Sequence, residues 1–172
     1  MSQHGSSKPT FKLMISSPVH ILSLGFGTGL APFAPGTFGT LVGFPLFLAL
    51  APLPLLTKAV AYLALFILGC WLCEVTGKAL GKHDHSSIVW DEIIAMALVL
   101  EFAPPGWVWW IIAFLLFRFF DIVKPWPVSL ADNAHGTGSL AGGFFVMLDD
   151  ILAAIYAIAA MLALKYFVNF IA

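Results

Sequence analysis

The sequence predicts an all-α fold, a polytopic membrane helix bundle with four or five transmembrane segments and a polar site on its cytoplasmic side. The first observation is composition, since 60% of the 172 residues are hydrophobic and only 10% are charged. Soluble domains carry about 25% charged residues, so this chain cannot cover an ordinary water-facing surface. The second is the presence of several long apolar segments. The third is that the acidic residues lie at the ends of those segments.

The predicted transmembrane segments follow from length and hydropathy. A crossing helix needs about 20 apolar residues, with about 17 at the short end. Five segments are candidates: residues 38–56, 58–76, 86–102, 107–120 and 149–171. The motif APPG marks a turn between the third and the fourth. Prolines bend the first segment and the fourth is short, so four crossings plus a re-entrant segment is the alternative.

We expect two regions, a flexible cytoplasmic N-terminus (residues 1–16) and a single membrane-embedded helical domain (residues 17–172) that contains the candidate catalytic residues. The N-terminus is too polar to supply the apolar core of a signal peptide, so no cleavage is expected. The formal net charge of −1 argues against nucleic-acid binding, which needs clustered basic residues.

Basic residues predict the orientation, because Lys and Arg are enriched in cytoplasmic loops. With a cytoplasmic N-terminus and five crossings, Lys58 and Lys165 lie outside. The other basic residues then lie inside: Lys8, Lys12, Lys78, Lys82, Arg118 and Lys124. In this N-in, C-out arrangement Glu101 is the one acidic residue placed outside, and the remaining acidic residues gather at the cytoplasmic side.

Three acidic features therefore converge on one face of the membrane. Asp91 and Glu92 lie about one and a half turns into the third segment, Asp121 closes the fourth, and Asp149 and Asp150 open the fifth. A charge at the centre of a membrane helix costs about 2.5 to 3.5 kcal/mol. Grouped carboxylates repel unless a cation lies among them, and all-oxygen sites favour Mg²⁺ or Mn²⁺. These five carboxylates are the predicted metal ligands.

Simpler interpretations exist for each feature. Asp149 or Asp150 could cap a helix start. Asp121 could pair with Arg118 or Lys124, each three residues away. Beside a metal site, Arg118 and Lys124 are suited to binding a phosphate. The alternative is that their positive charges only keep this end of the protein on the cytoplasmic side of the membrane.

A glycine-rich segment, LGFGTGLAPFAPGTFGT (residues 24–40), is the second candidate for phosphate binding. Backbone N–H groups outside regular structure, together with hydroxyls, form anion-binding concavities. Thr28, Gly36 and Thr37 are the predicted substrate-binding residues here. Close helix packing through the GxxxG of Gly39 and Gly43 is the alternative and is compatible with it.

Two further motifs involve metal-type residues. His83-Asp84-His85 resembles a metal-binding HxH, but we favour hydrogen bonding or proton transfer by His83 or Asp84, which lie close in sequence to Asp91. Asp84, Asp91 and His83 are the candidate catalytic residues. The CxxC of Cys70 and Cys73 lies in an apolar segment, where two small buried residues are expected.

Four motifs in this order resemble one bacterial family. They are Gly27–Leu30 with APGT (Ala34–Thr37), HDHSSIVWDE (His83–Glu92), RFFDIVKPWP (Arg118–Pro127) and MLDD (Met147–Asp150). Together they look like phosphatidylglycerophosphatase A, over about Ser17 to Ala157. The resemblance implies a Mg²⁺-dependent enzyme of the bacterial inner membrane, with Mn²⁺ as a possible substitute, that removes the terminal phosphate of phosphatidylglycerophosphate and leaves phosphatidylglycerol. The family's motif residues fall on Asp84, Asp91, Glu92, Asp121, Asp149 and Asp150, and on Arg118 and Lys124.

The expected chemistry is attack on phosphorus by a water that Mg²⁺ activates, with an aspartyl-phosphate intermediate as the chemical alternative. The number of metal ions, the headgroup selectivity and the oligomeric state stay open. A cation-coupled transporter is the alternative function, but its acids would be spread through the membrane depth. A CDP-alcohol phosphotransferase is a third, whose DG-x2-AR signature the sequence lacks.

Overall fold

The structure, a computed structural model, describes residues 8–82, 84–126 and 141–171, and within these ranges all regular structure is helical. The all-α prediction is confirmed. In chain order the helices are α1 (Phe11–Ile15), α2 (Pro18–Ser23), a 3-10 segment (Gly25–Leu30), α3 (Pro35–Leu50), α4 (Leu55–Leu80), α5 (Trp90–Glu101), α6 (Trp107–Val123) and α7 (Ala141–Ile171).

Helix α5 occupies the centre of the bundle and packs against α3, α4, α6 and α7. Its residues from Ile93 to Leu100 are apolar on all sides, and Ile93, Met96 and Leu100 are almost fully buried. A helix that is hydrophobic all round must be enclosed by other helices or by lipid, and here neighbouring helices enclose it. The placement of α5 brings its polar N-terminal turn into the interior of the protein.

Helices α4 and α7 are long and apolar enough to cross a membrane. At 1.5 Å per residue their 26 and 31 residues span about 39 and 46 Å, against a hydrocarbon core of about 30 Å. Only 11% and 22% of their most apolar windows are buried in the protein, so most of this apolar surface faces outward. The 12 residues of α5 span about 18 Å. Four or five crossings stay a prediction.

The third predicted segment begins later than expected. Residues 86–89 are not helical, because the Ile88 N–H donates to His85 O (2.8 Å) and the Val89 N–H donates to Ser23 O (2.9 Å). Helix α5 therefore starts at Trp90, and Asp91 and Glu92 lie in its first turn rather than one and a half turns inside. The predicted depth of these two acids was wrong by about a turn.

The fifth segment begins earlier than expected. The described part of helix α7 begins at Ala141, so Asp149 and Asp150 lie in the third turn of that part and neither caps a helix start. A residue of α4 instead accepts a hydrogen bond from the first turn of α7: the Gly143 N–H donates to the buried Glu74 Oε2 (3.1 Å). A side chain on Gly143 would overlap the carbonyl oxygen of Cys70. The glycine is what allows α4 to approach α7 closely.

Helix α2 packs on the same end of α4. His20 of α2 is buried, and its Nδ1 lies 2.9 Å from Thr76 Oγ1. Burial lowers the pKa of His20, so the neutral imidazole is favoured.

Both cysteines of α4 are free thiols, with Cys73 fully buried and Cys70 half-buried. The boundary proposed at residue 16 stays a prediction.

Candidate active site

Three carboxylates from two helices meet at the centre of the site. Asp91 and Glu92 come from the first turn of α5 and Asp150 from the third turn of α7, and one oxygen of each lies within 4.8 Å of the others. Asp91 and Asp150 are 7% and 4% exposed. Among the described residues, Asp91 Oδ1, Glu92 Oε2 and Asp150 Oδ2 have no hydrogen-bond partner. Buried carboxylate oxygens left in this state are costly, and a divalent cation would satisfy all three.

Arg118 lies beside this triad and joins three helices. Its Nη1 donates to Asp121 one turn along α6, and also to Thr40 Oγ1 of α3 (3.4 Å). The same nitrogen lies 3.7 Å from Glu92 Oε1. Arg118 Nε is buried and has no partner in the described part of the chain. The guanidinium therefore keeps one N–H available for an acceptor that enters the site.

Lys124 forms the second ion pair. It follows the last residue of α6 in a left-handed conformation (φ 46°), and its Nζ donates to Asp149 Oδ2. Asp121 and Asp149 are thus each paired with a basic side chain and are not members of the triad. The five predicted ligands do gather at one end of the bundle, facing two cationic side chains. That excess of carboxylates favours a bound cation.

The first turn of α3 closes one side of the site. A Cβ built on Gly36 would overlap Glu92 Oε1 and would lie 3.3 Å from Arg118 Nη1. Thr40 follows one turn later on the same face, is fully buried, and donates from Oγ1 to Gly36 O (2.8 Å). Sequence analysis did not select Thr40, although its spacing of four residues from Gly36 places both on one helix face.

The remaining candidates are not members of the triad, and one of them lies outside the described residues. Thr28 Oγ1 donates locally to Gly25 O (2.9 Å), and Thr28 lines an open groove of about 320 Å³ with Phe33 and Phe38. Thr37 is half-buried in the first turn of α3. Asp84 is exposed in the loop before α5 and interacts electrostatically with Asp91. His83 lies outside the described residues.

The outward-facing apolar helices suit association with a membrane. Carboxylates beside an arginine and a lysine suit metal-assisted hydrolysis of a phosphoric monoester. The family model for phosphatidylglycerophosphatase A matches residues 21–165. The chain belongs to the phosphatidylglycerophosphatase A family. The resemblance noted in the sequence is therefore confirmed.

Individual relatives agree with this assignment. The chain is 44% identical over 162 residues to the phosphatidylglycerophosphatase A of Haemophilus influenzae, covering 93% of this chain and 96% of the relative. It is 40% identical over 146 residues to that of Escherichia coli, covering 84% and 81%. A Bacteroides thetaiotaomicron protein, 38% identical over 145 residues (80% and 87%), is named, provisionally, as a phosphatidylinositol-3-phosphatase. No solved structure matches the chain. Nothing in these comparisons supports a transporter.

Proposed function

We propose that this protein hydrolyses the terminal phosphomonoester of phosphatidylglycerophosphate, in a Mg²⁺-dependent reaction, to give phosphatidylglycerol and phosphate. The observation that carries the proposal is the Asp91–Glu92–Asp150 triad, with oxygens within 4.8 Å of one another, beside the single arginine of the chain. The substrate follows from the two relatives that share at least 40% of the aligned residues.

The donor set fits a hard divalent cation. Mg²⁺ binds through one or two carboxylates plus water and substrate phosphate rather than through a complete protein cage. Asp91, Glu92 and Asp150 would hold it, because each has a buried oxygen without a partner among the described residues. When bound, Mg²⁺ supplies Lewis-acid activation of the attacking water and neutralises charge on the phosphoryl oxygens. Mn²⁺ has the same ligand preference.

The protein side chains then have separate tasks. Arg118 binds the phosphoryl group through its free Nε–H, and Lys124 contributes a second positive charge. Asp121 and Asp149 hold these two bases in place. Water attacks phosphorus, the bond from phosphorus to the glycerol oxygen breaks, and the glycerol oxygen takes a proton from solvent water. Asp84, exposed and electrostatically coupled to Asp91, would accept the proton of the water; His83 is the other candidate.

We infer that the site faces the cytoplasm from a multi-pass position in the inner membrane. Lys58 and Lys78 lie 20 residues apart on α4, so about 30 Å separates their backbones, close to the thickness of the hydrocarbon core. Lys58 pairs with Glu101 at the end of α5 away from the triad. The N-in, C-out orientation puts the end with Lys78, Lys82 and the triad inside, as the positive-inside rule favours. The phospholipid would reach the site from the cytoplasmic leaflet.

Phosphate release from phosphatidylglycerophosphate in mixed micelles, with Mg²⁺ and with EDTA, tests the proposal. We expect release with Mg²⁺ that EDTA abolishes, and a loss of at least about 100-fold in Asp91→Asn. Full release in EDTA would exclude the metal, and Asp91→Asn as active as wild type would remove Asp91 from the site. Single turnover in oxygen-18 water separates the two chemistries, because label found first in the protein would favour an aspartyl-phosphate.

A further inference from the structure

Thr40 is buried between the first turn of α3 and the guanidinium of Arg118. Its Oγ1 donates to Gly36 O at 2.8 Å and accepts from Arg118 Nη1 at 3.4 Å. The residue is fully buried, so solvent cannot replace either contact. Thr40 thus touches the cationic group of the site.

The hydroxyl can occupy this position in only one orientation. A threonine hydroxyl has one proton and two lone pairs. Because Gly36 O takes the proton, the oxygen presents its lone pairs to Arg118, which is the polarity that a guanidinium requires. The helical spacing of Gly36 and Thr40 fixes this orientation, since the i to i−4 hydroxyl bond is local to the helix.

The contact with Asp121 alone does not fix the orientation of the Arg118 guanidinium, and the contact with Thr40 completes it. The bond to Asp121 joins two residues of the same helix, three positions apart, and does not by itself direct the guanidinium toward α5. The bond to Thr40 links Arg118 to α3, whose first turn already contacts Glu92 through Gly36. With both bonds, Nη1 is held near Glu92 and Nε is left for a ligand.

We propose that Thr40 is a positioning residue, whose hydroxyl orients Arg118 so that its free Nε–H points to the bound phosphoryl group. The inference rests on the proposed function only in taking Arg118 as the phosphate ligand. It predicts that the hydroxyl matters and the methyl does not. Thr40→Ser then preserves the function of the side chain, and Thr40→Val, nearly the same in shape, removes it.

Arg118 is the only arginine in the sequence, so ¹⁵N-arginine labelling gives one assignable guanidinium. We expect the Nε and Nη signals of the micelle-bound protein to shift and broaden in Thr40→Val and to match wild type in Thr40→Ser. The inhibition constant of inorganic phosphate should rise about 5- to 10-fold in Thr40→Val, the loss expected for one typical intramolecular hydrogen bond. Thr76→Val is the control, since Thr76 is equally buried but contacts His20.

The outcomes separate this inference from the proposed function. Unchanged Arg118 signals together with an unchanged inhibition constant in Thr40→Val would overturn the role of Thr40. Equal signal changes in Thr40→Val and Thr76→Val would also overturn it, because the effect would then be general loosening of the fold. If the wild-type protein released no phosphate from the lipid, the proposed function would fail, while the guanidinium signals would still decide the role of Thr40.

Discussion

Gly36 of α3 lies directly against Glu92 of α5, so closely that a single methyl group on Gly36 would overlap Glu92 Oε1. The contact brings the start of one helix to the start of another. It also explains why a glycine stands where the first turn of α3 could otherwise accept any good helix former. The space that a side chain would occupy is taken by a carboxylate oxygen of the triad.

Gly36→Ala is therefore expected to reduce activity without unfolding the protein. The flexible end of Glu92 would move away from the added methyl and disturb the triad, while alanine by itself favours a helix by up to about 1 kcal/mol. We expect phosphate release at least about 10-fold lower and a melting temperature close to wild type. Gly143→Ala should show the reverse, because its added methyl meets backbone of α4 that cannot move aside. Full activity in Gly36→Ala would contradict the described contact.

Asp150→Asn tests the triad without relying on activity. Ligands that bind only the folded state raise the melting temperature by mass action. We expect Mg²⁺ to raise the melting temperature of the wild-type protein and to have little effect on Asp150→Asn. Glu101→Gln is the matched control, since it removes a carboxylate at the other end of α5, beside Lys58. Its own stability is expected to be lower, but the increase with Mg²⁺ should persist. An equal increase in Asp150→Asn would show that the cation binds elsewhere.

Arg118→Lys keeps the positive charge and removes the planar guanidinium. One ammonium cannot donate to Asp121, Thr40 and a phosphate from the fixed positions that Arg118 provides. We expect kcat/KM to fall by about 10- to 100-fold, corresponding to about 1.4 to 2.7 kcal/mol, with weaker inhibition by inorganic phosphate. If Arg118→Lys kept wild-type kcat/KM, only the charge at this position would matter.

Lys58 and Glu101 form an ion pair away from the triad, with a distance of 2.7 Å and an added hydrogen bond from Tyr62 to Glu101. Removing one partner of a mostly buried pair leaves the other charge without compensation. Lys58→Met should therefore lower the free energy of unfolding by about 2 to 4 kcal/mol. The double variant Lys58→Met/Glu101→Leu should recover most of this loss. Equal destabilisation of the single and double variants would show that the charge pair is not the cause.

The proposed orientation predicts which loops are accessible from each side. Ser86 and Pro105 are exposed in the loops before α5 and before α6. In a protein with Cys70 and Cys73 replaced by alanine, Ser86→Cys should react with an impermeant thiol reagent only in inside-out vesicles. Pro105→Cys should react only in right-side-out spheroplasts. Labelling of both from the same side would exclude a complete crossing by α5.

Sequence patterns selected most residues of the candidate site but did not predict its internal arrangement. Asp91 and Glu92 stood out because two adjacent carboxylates begin an apolar segment, and Arg118 because it lies one turn from Asp121. Their partners were not predictable in the same way. Neighbouring helical residues point about 100° apart, so the side of α5 on which each acid lies relative to α7 depends on how those helices pack. The spacing of Thr40 from Gly36 places both on one helix face, but the contact of Thr40 with Arg118 forms between helices and cannot be predicted from that spacing.

The sequence alone determined which reactive side chains are present and that the fold is helical. The length of the apolar segments, the scarcity of charged residues and the grouping of acidic residues are properties of the chain itself. The tertiary structure decided which carboxylates meet. Asp150 joins Asp91 and Glu92, whereas Asp121 and Asp149 pair with Arg118 and Lys124. The physical reason is the sequence separation over which the interactions act. Local hydrogen bonds specify a helix within a few residues. The approach of side chains 59 positions apart, such as Asp91 and Asp150, depends on the packing of complete helix faces.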